Sequence, residues 1–490
     1  MSTGLDVARE ALAGTRAWLV GGTVRDRLLG RHTGDVDIVV DGEPGEAARA
    51  VARAAGGAAR FALSEEFGSW RVVARGGAWQ VDVEGLRGAS IEVDLGLRDF
   101  TLNSIAEPLA GGAPVDPLGG IADLQARRLR MSGPGAFEQD PLRVLRLVRL
   151  AVELDLEVES ETFRYASAAA CDLGRVSAER VFMELRRIIA ARSARRGLEM
   201  MDSLGVMAAV LPELDALRGV EQNRFHHRDV YGHTLEVFDR VVEMTAEPAI
   251  SGVSRPPAVD PAVAVGESAS ALDATIGKYR AQLQALLAEP LADELTRGDG
   301  LRWGALLHDA AKPLTREARP DGGVTFFGHD VRGAQLARTV LERLRASERL
   351  RAHVAALVRN HLRLGFLVHE PQPLERKIVF AYLRACSPVE VDVTLLSVAD
   401  RLATRGDRAR ESIESHLRLA QSVLGDALEW HTQGPPAPLL RGDELADDLG
   451  IATGPRVGEL LEAIASAQYA GEVDTRKQAL TYARKLMRLA

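Results

Sequence analysis

Residues Trp18–Gly30 read WLVGGTVRDRLLG, and residues Gly34–Val40 read GDVDIVV. The first stretch begins as an apolar strand, turns at Gly21-Gly22 and continues as a short helix with Val24 and Leu28 on one face, closed by Gly30. Glycines let a backbone approach a phosphate closely, and a helix start offers free N–H groups to an anion. The second stretch carries Asp35 and Asp37 at i and i+2 on entering an apolar strand, where alternate side chains share a face. Two carboxylates so placed repel each other unless cations sit between them. Two Mg²⁺ ions bridging carboxylates and a triphosphate are a general means of in-line nucleotidyl transfer. Taken alone, a strand–glycine–helix is most often only a turn, and an acidic pair only a solvated face. Asp82, in the strand of Trp79–Gly88 (WQVDVEGLRG), has the pattern of a third carboxylate for such a site.

Outward from this core, β-type runs at Trp18–Val20, Val36–Val40, Trp70–Val73 and Gln80–Val83 alternate with helical stretches and glycine-rich turns, which predicts an α/β head over residues 1–125. Beyond about Asp140 the text is helical, as in Pro141–Leu154 (PLRVLRLVRLAVEL) and Ala178–Ala190 (AERVFMELRRIIA). A helical neck is assigned to 126–215 and a helical body to 216–430. Within the body, 247–274 is rich in Pro, Ala, Gly and Ser and reads as a flexible insertion. HTQGPPAP, ending at Pro438, sets off a helical tail over 439–490.

The bulk numbers agree with several domains: 490 residues, 46% hydrophobic and 27% charged, well away from disordered or collagen-like compositions. Two cysteines, Cys171 and Cys386, exclude a disulfide framework and a cysteine-based zinc site within one chain. The amino-terminal text lacks a signal-peptide pattern and no segment is apolar enough to span a membrane, so a cytoplasmic protein without a membrane partner is expected. A net charge of −8 means that any RNA contact must come from a local basic surface.

Two further patterns carry chemistry. In Gln139–Arg149 (QDPLRVLRLVR), Arg143, Arg146 and Arg149 recur every third residue and form a slanting stripe on a helix, which without context is a solvated face. In the body, His233, His308-Asp309, His329, His361 and Asp400 are spread over helical text. One such histidine is usually structural, whereas the ordered set suits a divalent metal held by imidazoles and carboxylates.

With Leu97–Ser104 (LRDFTLNS) and Asp116–Leu124 (DPLGGIADL), the two opening stretches resemble the polymerase-β-like head of CCA-adding tRNA nucleotidyltransferases and of bacterial poly(A) polymerases. The resemblance implies that Asp35, Asp37 and Asp82 form the catalytic Mg²⁺ site. It further implies that Gly21, Gly22 and Arg25 hold the triphosphate, and that Arg98, Asp99 and Asn103 contact ribose and phosphates. Leu97 stands where the family usually has an arginine. The Gln139–Arg149 run resembles the family's base-reading motif, which makes Asp140 and Arg143 the readers of the incoming C or A, with Arg146 and Arg149 nearer the phosphates. Gln139 replaces the usual Glu, so a neutral hydrogen bond stands where an ion pair would orient Arg143.

The separated histidines resemble an HD-type phosphohydrolase site, which implies a second divalent metal on His233, His308, Asp309 and Asp400, with His329 and His361 as further candidates. The tail resembles that of HD-containing members of the family. The implied activity is template-independent addition of C and A to the 3′ end of tRNA from CTP and ATP. The alternatives are a poly(A) polymerase and an HD phosphohydrolase with an RNA-binding head. Between the Asp82 strand and the Arg98 motif lies only VEGLRGASIEVDLGL, shorter than the flexible loop of CCA-adding relatives, which implies CC addition alone as one outcome and full CCA addition as the other. Nothing in the sequence sets the oligomeric state.

Overall fold

The computed structural model describes residues 3–31, 34–64, 68–222, 228–246, 265–320, 323–404 and 409–489. The chain divides into two compact units, Met1–Val210 and Leu211–Ala490.

The first unit is built on a six-stranded sheet of order β3-β4-β5-β2-β1-β6. Its strands are β1 (Ala17–Val20), β2 (Asp35–Val40), β3 (Ala59–Ser64), β4 (Ser69–Val73), β5 (Gln80–Gly85) and β6 (Ala106–Pro108). β2 and β5 run parallel, with Asp37 opposite Asp82, and the other pairs in this sheet are antiparallel. Strand periodicity sorts the side chains. Val36, Ile38 and Val40 turn to one face, where they bury with Leu19, Val72, Val81 and Val83 beneath helices α1 (Gly4–Ala11) and α3 (Pro44–Ala54). Asp35 and Asp37 therefore turn to the other face. Farther along that face Val39 packs with Trp18, Val20 and the apolar residues Ile91 and Leu95 of α4 (Ile91–Gly96).

Helix α2 (Gly21–Leu28) starts directly at the end of β1, so the two glycines form its first turn instead of a separate bend. Gly21 has φ +63°, in the left-handed region that favours glycine. Val24 is fully buried, but Leu28 is 42% exposed and does not share its environment. Helices Arg143–Leu154, Ser160–Ala169, Ala178–Ala190 and Ala194–Ser203 follow the head within the same unit. Gly197 permits close helix packing there, since a Cβ at that position would lie 2.7 Å from Ile188 Cγ2.

The second unit is helical, with short two-stranded pairs at Pro290–Thr296 and Glu317–Thr325. Helices Val230–Thr245, Arg297–Leu307, His329–Arg343, Glu348–Asn360 and Glu390–Ala403 surround the histidines. Of the segment read as a flexible insertion, 247–264 lies outside the described residues, whereas Val265–Ile276 is a helix, which moves the helical text upstream of residue 274. Alanine at three of those twelve positions gives that stretch a helix propensity that its neighbouring prolines and glycines masked. Helices Gly442–Leu449, Pro455–Tyr469 and Arg476–Leu489 form the tail around their own apolar cluster of Leu445, Leu460, Ile464 and Ala479. Among the described residues, no helix is long and apolar enough to cross a membrane.

Candidate active site and metal centre

A polar cleft of about 300 Å³ opens on the carboxylate face of the first unit's sheet. It is lined by Gly21, Gly22, Asp37, Asp82, Glu84, Arg98, Asp99, Asn103 and Arg146, with Val20 and Ile38 at its base. Asp37 is fixed through Thr23, whose hydroxyl accepts from the Asp37 backbone N–H at 2.8 Å and lies 3.4 Å from its Oδ2. Asp35, one pleat before it, is exposed at the strand's start. A Cβ at Gly21 would sit 3.2 Å from an Arg98 nitrogen and 3.6 Å from Asp37 Oδ2, so the glycine leaves that corner of the cleft open.

Burial and the neighbouring Asp82 charge push the Asp37 carboxyl up to about 6, against the opposing pull of Arg98. A like-charged pair that raises a carboxyl in this way is stabilised by any cation bound between its members. This donor set of hard oxygens fits Mg²⁺. Asp82 itself is clamped: Arg71, its register partner on β4, donates Nε and Nη2 to its two oxygens at 2.7 Å each. Each oxygen keeps a second lone pair for the cleft.

The motif Arg98–Asn103 forms the opposite wall. Arg98 is held by Asp94, a fully buried carboxylate that accepts from Arg98 Nε at 3.1 Å and also from Arg87. Asp99 accepts from Asn103 Nδ2 at 2.9 Å and from Arg146 Nη1 at 3.1 Å. Burial raises the Asp99 carboxyl, yet Arg146, Asn103 and Arg143 outweigh it and hold the group below its ordinary value. Thr101, inside the motif, donates to Asp123 at 2.7 Å, and Asp116 caps the helix Gly120–Gln125 through the backbone N–H groups of Gly120 and Ile121. The DPLGGIADL stretch thus supports the wall from behind.

Five expected residues stand outside the cleft lining: the exposed Asp35, and Arg25, Asp140, Arg143 and Arg149. Arg25 donates to Asn103 Oδ1 at 2.8 Å and to its neighbour Asp26, so it meets the site through Asn103. Asp140 accepts from Arg180 at 2.7 Å, and its other oxygen caps the following helix at Leu142 N. Arg143 spends its fork on main-chain carbonyls, those of Ala136 and Leu97 at 3.0 Å and of Arg98 at 3.3 Å. No hydrogen bond joins it to Gln139 among the described residues. Arg149 departs most from expectation: it is buried between Glu184 and Glu153, away from the cleft. The reason is helical geometry, since each three-residue step turns the stripe back by about 60°. Arg146 reaches the cleft while Arg149 swings into the packing against helix Ala178–Ala190, whose Glu184 binds both.

Sequence reasoning passed over Glu84, Arg71 and Glu184. Glu84 follows Asp82 at i+2, the same signal that marked Asp35 and Asp37. Arg71 and Glu184 became visible only through strand register and helix packing.

In the second unit, His233, His308 and Asp309 come together, as do Asp309, His329 and His361. Asp400 Oδ1 lies 2.9 Å from His233 Nε2, and Asp309 Oδ2 lies 3.1 Å from His308 Nε2 and 3.9 Å from His233 Nε2. The Nδ1 atoms of His308, His329 and His361 lie 2.8, 2.6 and 2.7 Å from the carbonyls of Ala305, Phe326 and Val358. A carbonyl only accepts, so each Nδ1 carries the hydrogen and each Nε2 presents a lone pair inward, the tautomer a metal ligand needs. Burial pulls the His361 ring down to about 4, and His308 adds to that effect. Burial also opposes ionisation of Asp309, yet His308 and Lys312 hold it well below the ordinary carboxylate range. The buried donor set of imidazoles and carboxylates fits a divalent ion. Lys312, three residues after Asp309, was also missed; its Nζ lies 2.7 Å from Asp309 Oδ2 and donates to Gln222.

Three family models match the chain: the poly A polymerase head domain over residues 17–130, the probable RNA- and SrmB-binding site of polymerase A over 155–218, and the HD domain over 284–405. His233 precedes the last of these. An A-adding tRNA nucleotidyltransferase of Deinococcus radiodurans is 36% identical over 96% of this chain and 95% of its own. A CC-adding tRNA nucleotidyltransferase of Thermus thermophilus is 33% identical over 95% of this chain and 92% of its own. A Thermotoga maritima CCA-adding enzyme complexed with tRNA shares the fold at TM-score 0.60 and 19% identity, over 98% of this chain and 95% of that one.

Proposed function

Because the chain belongs to the tRNA nucleotidyltransferase family, we propose that its first unit transfers CMP or AMP from CTP or ATP to the 3′ end of tRNA. The observation that carries this reading is the cleft itself, where Asp37, Asp82 and Glu84 face Arg98 and Arg146 across a space of nucleotide-phosphate size. When bound, Mg²⁺ at Asp35 and Asp37 neutralises charge on the triphosphate and on the departing pyrophosphate. The chain's own residues hold the reactants. Gly21 and Gly22 let the phosphates approach the start of α2, Arg98 and Arg146 offer guanidinium donors to their oxygens, and Asp94 keeps Arg98 in place while Asp99 keeps Arg146. The terminal 3′-hydroxyl of tRNA attacks the α-phosphorus, and the bond to pyrophosphate breaks.

Asp140 and Arg143 are the proposed base-reading pair. Their partners in this structure, Arg180 and three carbonyls, are groups that a bound base edge would replace or work alongside. The second unit is proposed to hold a divalent ion on His233, His308, Asp309 and Asp400.

The nucleotide set is proposed to be one stage of CCA synthesis, CC or A, instead of the whole. Only residues 86–90 connect β5 to α4, a span with little reach to switch a site between two bases. Two relatives that cover 95% or more of this chain, at 36% and 33% identity, are named for single stages, whereas one that covers 70% of it at 34% identity is named a multifunctional CCA protein. The test offers tRNA ending at the discriminator base and tRNA ending in CC, each with CTP, ATP or both. Extension of the first by CC only, or of the second by A only, is expected. Completion of CCA from the discriminator base by this protein alone would contradict the single-stage reading.

A further inference from the structure

We infer that Glu84 is the residue of the head cleft that reads ribose: its carboxylate accepts a hydrogen bond from a 2′-hydroxyl and makes the site prefer RNA substrates to their deoxy forms. The inference rests on the reading of this cleft as a nucleotidyl-transfer site and adds a specificity residue to it.

Strand register brings Glu84 to the cleft. It stands two residues after Asp82 on β5, so the two side chains share a face. Its register partner on β2 is Val39, two residues beyond Asp37. Val39 is fully buried in the apolar cluster with Val20 and Leu95, so Glu84 marks the point where the carboxylate half of this face gives way to its apolar half. Glu84 itself is half-buried and lines the cleft. Burial and Asp82 push the Asp37 carboxyl up most, and the Glu84 charge adds to them, which puts Glu84 on the same space as the metal carboxylates.

The other charged side chains of the lining are engaged within the fold: Asp37 with Thr23, Asp82 with Arg71, Arg98 with Asp94, and Asp99 with Arg146. Glu84 has neither a hydrogen bond nor an ion pair among the described residues. Asp99, expected at the ribose, is differently placed. Its Oδ1 accepts from Phe100 N–H at 2.8 Å and from Asn103 at 2.9 Å, and its Oδ2 accepts from Arg146 at 3.1 Å. Both its oxygens hold the wall together, whereas both oxygens of Glu84 are open to a ligand.

Charge then selects that ligand. A carboxylate repels phosphate oxygens, which Arg98 and Arg146 attract, so what approaches Glu84 is a hydrogen-bond donor. The base edge is assigned to Asp140 and Arg143, outside the lining, and the remaining donors of a nucleotide or a tRNA end are ribose hydroxyls. The tRNA 3′-hydroxyl has to stay free to attack phosphorus, whereas a 2′-hydroxyl is a donor that distinguishes RNA from DNA. It belongs either to the incoming nucleotide or to the last nucleotide of the tRNA.

The test uses the full chain with Mg²⁺ in two arms. One compares kcat/KM for CTP and ATP with that for dCTP and dATP on unmodified tRNA. The other compares tRNA ending in a ribonucleotide with tRNA ending in its 2′-deoxy form. The ribo-to-deoxy ratio cancels any effect of the lost charge on Mg²⁺, which acts on both substrates alike. In Glu84→Ala the ratio is expected to fall about 10- to 100-fold in at least one arm, the range of one hydrogen bond to a charged acceptor, and the arm that falls identifies the ribose. Glu84→Gln keeps a neutral acceptor of about half the strength, so its ratio is expected to fall less, by about threefold or more. Melting curves are the folding control, and Glu84→Gln decides the matter if Glu84→Ala does not fold. A parent that uses ribo and deoxy substrates equally in both arms, or a Glu84→Gln ratio equal to the parent's in both, would overturn the inference and leave nucleotidyl transfer standing. A parent that incorporates no nucleotide would overturn the reading of the cleft, and the inference with it.

Discussion

Arg71 donates both arms of its guanidinium to Asp82, at 2.7 Å each, from the strand next to the one on which Asp82 stands opposite Asp37. The pair fixes the orientation of Asp82 and dilutes its charge at the cleft. Arg71→Ala removes both effects and Arg71→Lys keeps the charge without the fork. Arg71→Ala is expected to lower kcat about tenfold, in the range of one lost charge-assisted contact. It should also lower the Mg²⁺ concentration giving half-maximal rate, because a competing cation is gone. Arg71→Lys should lower kcat with the Mg²⁺ midpoint unchanged. Magnesium titrations of initial rate check this, and an unchanged kcat in both variants would show that Asp82 needs no orientation.

Arg146 and Arg149 share Glu184 yet are expected to fail differently when removed. Arg146 lines the cleft, so Arg146→Ala should lower kcat/KM for nucleotide by about 100-fold with a modest change in stability. Arg149 is buried between two glutamates, and Arg149→Ala should destabilise the unit by about 3 kcal/mol while changing kcat/KM less than threefold. Steady-state kinetics beside urea unfolding separates the two, and equal kinetic losses would place Arg149 at the phosphates after all.

This contrast shows what the sequence could and could not reveal. The α/β head, the acidic face of β2 and the Arg98–Asn103 wall were legible, because strand periodicity and short motifs act over a few residues. The same period-2 rule applied to Gln80–Gly85 would also have found Glu84. The arginine stripe was misread at Arg149, because which side of a buried helix meets which neighbour depends on packing against Ala178–Ala190, whose Glu184 is 35 residues away. In the second unit the histidines were legible as a set, while Lys312 and the position of Asp309 between two pairs of imidazoles emerge only when five helices converge.

Asp37 carries a pH signature. Its carboxyl is pushed up to about 6 in the folded chain, from an ordinary value near 3.8. Between those values the folded state holds a proton that the unfolded chain releases, so stability falls as pH rises through that window and stays reduced above it. Asp37→Asn should therefore stabilise the first unit at pH 8, without Mg²⁺, by about 1–3 kcal/mol, and much less at pH 4. Mg²⁺ should raise the melting temperature of the parent and not of this variant. Melting curves at the two pH values check the sign, and a variant less stable than the parent at pH 8 would contradict it.

The two chemistries are expected to separate by mutation. His308→Ala with Asp309→Ala removes one imidazole and the shared carboxylate of the histidine centre. Metal-dependent hydrolysis of phosphate esters should disappear in that variant while the rate of nucleotide addition stays within about threefold, a difference of roughly 0.7 kcal/mol in barrier. If the parent hydrolyses no phosphate ester with Mg²⁺, Mn²⁺, Co²⁺ or Ni²⁺, hydrolysis is not the task of this centre.

Nucleotidyl transfer at the carboxylates Asp35 and Asp37 is measured in a single-turnover assay. Purified protein is mixed with Mg²⁺, labelled CTP or ATP, and tRNA trimmed to the discriminator base or to CC, and incorporated nucleotide is measured against released pyrophosphate. One pyrophosphate is expected for each nucleotide added, with loss of at least about 1,000-fold in Asp35→Ala and Asp37→Ala, which remain folded because both side chains belong to the cleft face and not to the core. Incorporation of neither CMP nor AMP into any of these tRNAs, or full activity in both variants, would contradict it.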